Sequence, residues 1–379
     1  MTIELEQRLT ELAGQGRLRR LAAREGRDFS SNDYLGLAES SELRAAALAA
    51  LDRGVPLGAG ASRLLRGNHR EHEALEAEAA TFFRAEAALY FATGFSANYA
   101  LFSTLPQRGD LVVHDELIHA SVHDGLRNGR AERRAVPHND AQAFDGAIRH
   151  WRAAGGRGRP WIAVESLYSM DGDIAPLEDL ARIARAHEAV LVIDEAHATG
   201  VLGEAGRGLG WRLEGQENVI SLHTCGKALG GSGALVCASR TVRDFLVNRG
   251  RAFVFSTAPS PLAAAVVRAA LRLVGEVPDR RQRHARLVAH ANAKLARHCG
   301  MPASGTHIVP VILGANERAV AVAAAAQAAG FDVRAVRPPT VPDGTARLRL
   351  SITLNVDEHV VDELACVLGS LLAQAGEAP

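Results

Sequence analysis

The chain has 379 residues, enough for roughly two domains and for burying about three quarters of its unfolded surface. Its 43 Lys plus Arg balance 43 Asp plus Glu, so nothing in the overall charge favours nucleic acid or an anionic membrane, and neither is expected as a partner. Four cysteines, Cys225, Cys237, Cys299 and Cys366, have no CxxC spacing and are too sparse for a disulfide framework, which points to a reducing compartment.

The amino terminus, Met1-Thr2-Ile3-Glu4-Leu5-Glu6, is acidic and lacks the basic and apolar regions of a signal peptide. The apolar run 319–326 is mostly alanine and falls far short of the roughly 20 residues that span a bilayer. A soluble cytoplasmic protein is therefore expected.

Residues 1–45 are read as an amino-terminal segment, 46–275 as a large domain and 276–379 as a smaller α+β domain. Apolar runs followed by helix-period stretches recur through the large domain, the βα alternation of a mostly parallel sheet. Strands are predicted at 88–91, 110–113, 161–164, 190–193, 219–222 and 234–237, with helices such as 142–151 and 177–187 between them. Residues 259–299, with Gly275 as their one glycine, predict bridging helices. Beyond them a strand is predicted at 308–313, a helix at 319–329, strands near 331–334 and 348–352, and a closing helix from Val356.

The first predicted strand runs into Thr93-Gly94-Phe95, where a helix begins, and free N–H groups at such a start can hold a phosphate. After the second strand, His119 and His123 stand four apart, the spacing of metal ligands on a helix face. The HExxH glutamate and a third ligand are missing, so no metal is expected. A flat imidazole packing on a cofactor ring suits His119 better, core packing being the alternative.

Val190-Leu191-Val192-Ile193 ends in Asp194-Glu195-Ala196-His197, which places a carboxylate at the carboxyl end of a parallel strand. A carboxylate there can keep a pyridine nitrogen protonated, the state in which pyridoxal phosphate accepts a carbanion's electrons. A helix N-cap would explain Asp194 alone, but neither His197 nor the Gly-Lys at the end of the next strand.

That next strand, 219–222, leads to Thr224-Cys225-Gly226-Lys227 and a Gly-Gly-Ser-Gly turn at 230–233. A P-loop is excluded, since Ala228 stands where Ser or Thr should hold magnesium and Ser221 where the first glycine should be. Two readings remain: a surface lysine in a glycine-rich loop, or a desolvated amine that forms a Schiff base with an aldehyde cofactor.

Ser31-Asn32-Asp33-Tyr34-Leu35-Gly36, Gly94-Phe95-Ser96-Ala97-Asn98, Ser169-Met170-Asp171-Gly172-Asp173, Asp194-Glu195-Ala196-His197, Thr224-Cys225-Gly226-Lys227-Ala228 and Arg347-Leu348-Arg349-Leu350-Ser351, in this order, resemble the α-oxoamine synthases over almost the whole chain. These fold-type-I pyridoxal-phosphate enzymes condense an amino acid with an acyl thioester and release carbon dioxide. The resemblance implies an α/β large domain with a mostly parallel seven-stranded sheet between helices, a smaller carboxy-terminal α+β domain, pyridoxal 5'-phosphate as cofactor, and a homodimer. Residues 336–350 with His138-Asn139-Asp140 most resemble members that join L-alanine to pimeloyl-CoA or pimeloyl-acyl-carrier protein in biotin biosynthesis. A sister enzyme using glycine and acetyl-CoA, and a non-catalytic subunit keeping the fold, are the rival readings.

The resemblance also implies roles. Lys227 would hold the cofactor and later remove the α-proton, Asp194 would face the pyridinium, His197 would bond the phenolic oxygen and His119 would stack on the ring. Thr224 and the Gly94-Phe95 backbone would hold the phosphate, with Thr257 reaching it from a second subunit, and Ser169 and Glu165 match polar positions near the cofactor and thioester. Arg349, helped by Asn32, would pair with the amino-acid carboxylate, while Arg19 and Thr340 match substrate-contacting positions. The chain departs from the family pattern at Cys225, where phenylalanine is usual, at Ala198, where glycine is usual, and at Arg66, where serine commonly precedes the glycine.

Overall fold

The computed structural model describes residues 1–21 and 23–376 and divides into two compact units. One comprises 35–169 and 174–281, the other 1–34, 170–173 and 282–379.

In the first unit, seven strands lie in the order Ala87–Phe91, Ala234–Ala238, Val219–Thr224, Val190–Asp194, Pro160–Glu165, Leu111–Asp115, Glu132–Val136. Ala234–Ala238 is antiparallel to both of its neighbours, and the remaining pairs are parallel. Two reversals restore direction, so Ala87–Phe91 runs the same way as the parallel strands and six carboxyl ends open on one edge of the sheet.

The strands are buried on both faces, which is why they read as near-continuous apolar runs. Their alternation sorts side chains cleanly. Val112, Val190, Val192, Ile220 and Leu222 pack with the helix Gly94–Thr104 on one face. Leu111, Val113, Leu191, Ile193 and Val219 pack with Ala141–Ala153 and Leu177–Ala186 on the other.

Glu132–Val136 is a strand that the sequence does not announce: at the sheet edge, one side chain of its five is buried and three are charged. Edge strands with charged side chains resist pairing with another chain, and the same charges hide the apolar period.

The second unit is built on Ile308–Gly314, Ala346–Ser351 and Ala335–Val336, paired antiparallel. Leu348 and Leu350 face a core with Val309, Val311, Leu287, Leu295, Leu364 and Leu368. The strand expected at 331–334 is shorter: Phe331–Asp332 pairs in parallel with Arg27–Asp28.

That pairing bears on organisation. Tyr34 O also accepts from Leu354 N at 3.0 Å, so the first 34 residues belong with the carboxy-terminal unit and are not a separate 45-residue segment. Residues 170–173 join the same unit, where Gly172 O accepts from Thr306 Oγ1 at 2.7 Å. The other change of unit falls at 281/282, within the helix Pro278–Cys299, whereas the sequence reading places it at 275/276. No helix among the described residues is long and apolar enough to cross a membrane.

Candidate active site

Several loops that follow carboxyl strand ends converge on one cavity of about 180 Å³, lined by Gly94, Phe95, Asn98, His119, Glu165, Asp194, Ala196, His197, Thr224 and Lys227. This is where an open α/β sheet places its ligands, because the loops there leave backbone groups unpaired and side chains converging. Seven of the expected cofactor residues, Lys227, Gly94, Phe95, His119, Asp194, His197 and Thr224, thus come together, with Glu165 beside them.

Lys227 lies three residues beyond Val219–Thr224, in a tight loop. Cys225 N donates to Gly233 O and Gly231 N to Cys225 O, both at 2.8 Å. Gly233 has φ +90°, and a Cβ there would sit 2.4 Å from the Tyr90 ring, so the turn requires glycine. The loop delivers Lys227 Nζ to 2.8 Å from His197 Nε2. The amine is half-buried and shares its cavity with a carboxylate, which excludes the surface-lysine reading. The chain has two lysines in all, and the other, Lys294, pairs with Asp362 at 2.8 Å. That scarcity was a signal for Lys227 available in the sequence itself.

Asp194 ends its strand and caps no helix. Its Oδ1 accepts from Ala196 N at 2.9 Å and its Oδ2 from Asn98 Nδ2 at 2.7 Å. Each oxygen of this buried side chain thus has a hydrogen-bond donor. Asn98 is the residue that sequence reasoning passed over. It stands four positions after Gly94, one helical turn along the same face, and that spacing could have identified it.

His119 is the N-cap of Ala120–Asn128, not part of the helix, so it shares no helical face with His123. His123 packs edge-on against His114 instead. No group of three or more His, Cys, Asp or Glu that could hold a metal occurs among the described residues. His119 Nδ1 accepts from Ser121 N at 3.3 Å and lies 2.7 Å from Ser121 Oγ. Burial and the Lys227 charge push its pKa down and Asp194 opposes them, the net shift being downward, which favours a neutral ring.

Gly94 opens Gly94–Thr104, whose Thr93 and Ser96 form a reciprocal cap. The first N–H groups of a helix have no acceptor within it, and here they border the cavity. A Cβ on Gly94 would lie 2.8 Å from Thr224 Cγ2, so glycine keeps the approach open. Thr224 Oγ1 donates to Ala196 O at 3.1 Å.

Ser169 is buried, and its N–H donates to Glu165 Oε2 at 3.1 Å; it is not among the cavity-lining residues. Thr257 is exposed, in the turn after Arg251–Val254, and does not line the cavity either. Of the departures from the family pattern, Cys225 and Ala198 are fully buried and Arg66 is exposed.

In the second unit, Arg347 and Arg349 share the face of their strand opposite the leucines, and both are buried, 3% and 7% exposed, so this is no solvated basic face. Arg347 pairs with Asp171. Arg349 donates to Asn32 Oδ1 at 2.7 Å, to Ser351 Oγ, and to Tyr34 Oη at 3.3 Å. Arg19 Nη2 donates to Thr340 Oγ1 at 3.1 Å, both residues being exposed.

The donor set suits pyridoxal phosphate: one amine, an acceptor-only carboxylate for a ring nitrogen, a flat imidazole, and helix-start N–H groups kept open by a glycine. Asn98 Oδ1 and Glu165 Oε1, both on cavity-lining residues, are buried without a hydrogen-bond partner, as polar atoms that meet a bound group would be.

Comparison with known proteins agrees. The profile of the class I and II aminotransferases matches residues 24–368. A putative 8-amino-7-oxononanoate synthase of Geobacillus kaustophilus is 42% identical over 339 residues, covering 88% of this chain and 86% of that protein. The 8-amino-7-oxononanoate synthase of Anaeromyxobacter dehalogenans is 42% identical over 361 residues, covering 94% and 89%. Among solved structures, SPT with a PLP internal aldimine superposes with a TM-score of 0.86 at 26% identity, covering 92% of this chain and 88% of that one.

Proposed function

The chain belongs to the class I and II aminotransferase family and, within it, to the pyridoxal-phosphate-dependent 8-amino-7-oxononanoate synthases, and on that premise we propose that it condenses L-alanine with a pimeloyl thioester, releasing carbon dioxide and the free thiol carrier. The observation that carries the chemistry is Lys227 Nζ, 2.8 Å from His197 Nε2 in a cavity that Asp194 also lines. The choice of alanine and pimeloyl thioester rests on the names of the relatives.

When bound, pyridoxal phosphate supplies an electron sink that lets an amino-acid Cα give up first a proton and later carbon dioxide. The chain's residues do the rest. Asp194, held by Asn98 and Ala196, presents a fixed negative charge to the ring nitrogen. The Gly94 and Phe95 N–H groups and Thr224 hold the phosphate, and Thr257 reaches it from a second copy in a homodimer.

His119 lays a neutral ring on the cofactor face, and Ser169 and His197 bond its polar atoms. Lys227 Nζ takes the proton from Cα and returns one at the end, with His197 beside it to accept a hydrogen bond from the amine. Arg349, its planar fork already oriented by Asn32, Tyr34 and Ser351, receives the alanine carboxylate. Arg19 and Thr340 contact the acyl substrate, and Glu165 serves its thioester end. Action in the cytoplasm is part of the same proposal.

Product analysis tests this directly. Alanine with pimeloyl-CoA, and separately with pimeloyl-acyl-carrier protein, should give 8-amino-7-oxononanoate; efficient turnover of glycine with acetyl-CoA and none of alanine would assign the chain to the sister reaction.

A further inference from the structure

Glu165 ends Pro160–Glu165, and in register beside it Asp194 ends the neighbouring strand. Both line the cavity, 2% and 6% exposed. Two adjacent buried carboxylates both ionise only if each has donors enough to replace water. Asp194 has one on each oxygen. Glu165 has the Ser169 N–H on Oε2 and a further hydrogen bond from the Ser169 side chain, both of which favour its charged form, while Oε1 is buried without a partner. An ionised oxygen so placed would lie desolvated beside a like charge; a protonated one has a hydrogen to give to a ligand.

The groups facing Glu165 do not reverse this. Lys227, after Val219–Thr224, attracts the charged form, but its amine lies against His197. His119 is turned toward Ser121 and is driven neutral by burial. His114, on the strand at Glu165's other side, has Nδ1 2.9 Å from Asp115 O, and burial lowers its pKa too. Burial first, then the Asp194 charge, push the Glu165 carboxyl up to about 8.

We propose that Glu165 works as a neutral carboxylic acid whose Oε1–H donates a hydrogen bond to the carbonyl oxygen of the acyl thioester, fixing that group for attack. This deepens the function proposed above and rests on it. The ligand follows from what the other donors are assigned: the amino-acid carboxylate has Arg349, the phosphate has the helix start and Thr224, and the phenolic oxygen has His197. The thioester carbonyl is the acceptor left without a donor, and its oxygen gains negative charge as the new carbon–carbon bond forms, so a donor there acts most strongly in the transition state. The proton stays on Glu165 throughout, which makes it a hydrogen-bonding and not a proton-transferring group.

Infrared difference spectra of the holoenzyme, wild type minus Glu165→Gln, test the protonation. A carboxylic-acid carbonyl band at pH 7 that fades as pH rises through about 8 is expected; superposable spectra at pH 7 overturn the proposal. This arm needs no substrate. Kinetics test the ligand: Glu165→Ala should lower kcat/KM for the thioester about a hundredfold and leave alanine binding unmoved. Glu165→Gln, whose amide still donates, should restore most of that loss and abolish the alkaline limb of the pH profile. A Gln variant as impaired as Ala overturns the donor role. The band without turnover of any thioester would refute the proposed condensation, and with it the ligand, while leaving the protonated state of Glu165 established.

Discussion

Asp194→Asn removes one negative charge and keeps the side chain's shape. In the wild type each Asp194 oxygen receives one donor, Ala196 N–H on one and the Asn98 amide on the other. An asparagine at 194 has a single acceptor oxygen, so its NH₂ meets the Asn98 NH₂ unless Asn98 flips. The flip turns Asn98 Oδ1 toward Ser121 Oγ, whose proton is directed at His119 Nδ1, 2.7 Å away. One hydrogen bond is lost either way, about 1 kcal/mol, so the variant should fold and melt within a few degrees of wild type.

Turnover should fare far worse. Removing one partner of a buried, hydrogen-bonded charge pair costs about 2 to 5 kcal/mol, which at about 1.36 kcal/mol per decade is a loss of roughly thirtyfold to several-thousandfold. The assays are free-thiol release with alanine and pimeloyl-CoA, and exchange of the alanine α-proton for deuterium followed by NMR, with cofactor content measured alongside. A variant that binds cofactor and still exchanges the α-proton at a near-normal rate would show that the Asp194 charge does not support the chemistry.

Borohydride reduction should fix the cofactor to Lys227; with Lys294 the one other lysine, peptide mapping gives a two-way answer, and an adduct on Lys294 would end the Schiff-base assignment. Arg349→Lys loses the fork that bonds Asn32, Ser351 and Tyr34 and should raise the alanine concentration for half-saturation at least about tenfold. Arg347→Lys, at the buried pair with Asp171, should lower stability and leave alanine affinity nearly unchanged; equal effects of both variants on alanine would remove Arg349 from the substrate site. Lys227→Ala and Thr257→Ala proteins, each impaired, should regain activity when mixed as exchanging dimers, and a fully active monomer would refute the shared site. Finally, the folded Glu165 carboxyl, raised from 4.5 to about 8, binds a proton that the unfolded chain releases. Its contribution to stability is complete below 4.5 and is lost as pH rises toward 8. Glu165→Gln should therefore gain stability relative to wild type across that window, and a pH-independent difference in unfolding free energy would contradict a raised pKa.

Periodicity and strand-end chemistry make much of the large unit legible in the order of its residues. Val190-Leu191-Val192-Ile193 before Asp194, and the glycine turn around Lys227, are local signals: a strand buried on both faces must be apolar throughout, and a turn at positive φ selects glycine. The sequence alone also specified that a carboxylate and a lysine end two such strands. It could not show Glu132–Val136, whose place at a sheet edge permits charged side chains, nor that residues 1–34 belong with the carboxy-terminal unit, since the Arg27–Asp28 pairing with Phe331–Asp332 joins positions some three hundred residues apart. The burial of Arg347 and Arg349 likewise depends on Asp171 and Asn32, which lie far from them along the chain. Only the tertiary structure set Glu165 in register with Asp194 and left its Oε1 without a partner, because a carboxyl's protonation state depends on the burial and the charges gathered around it, and those come from strands distant in sequence.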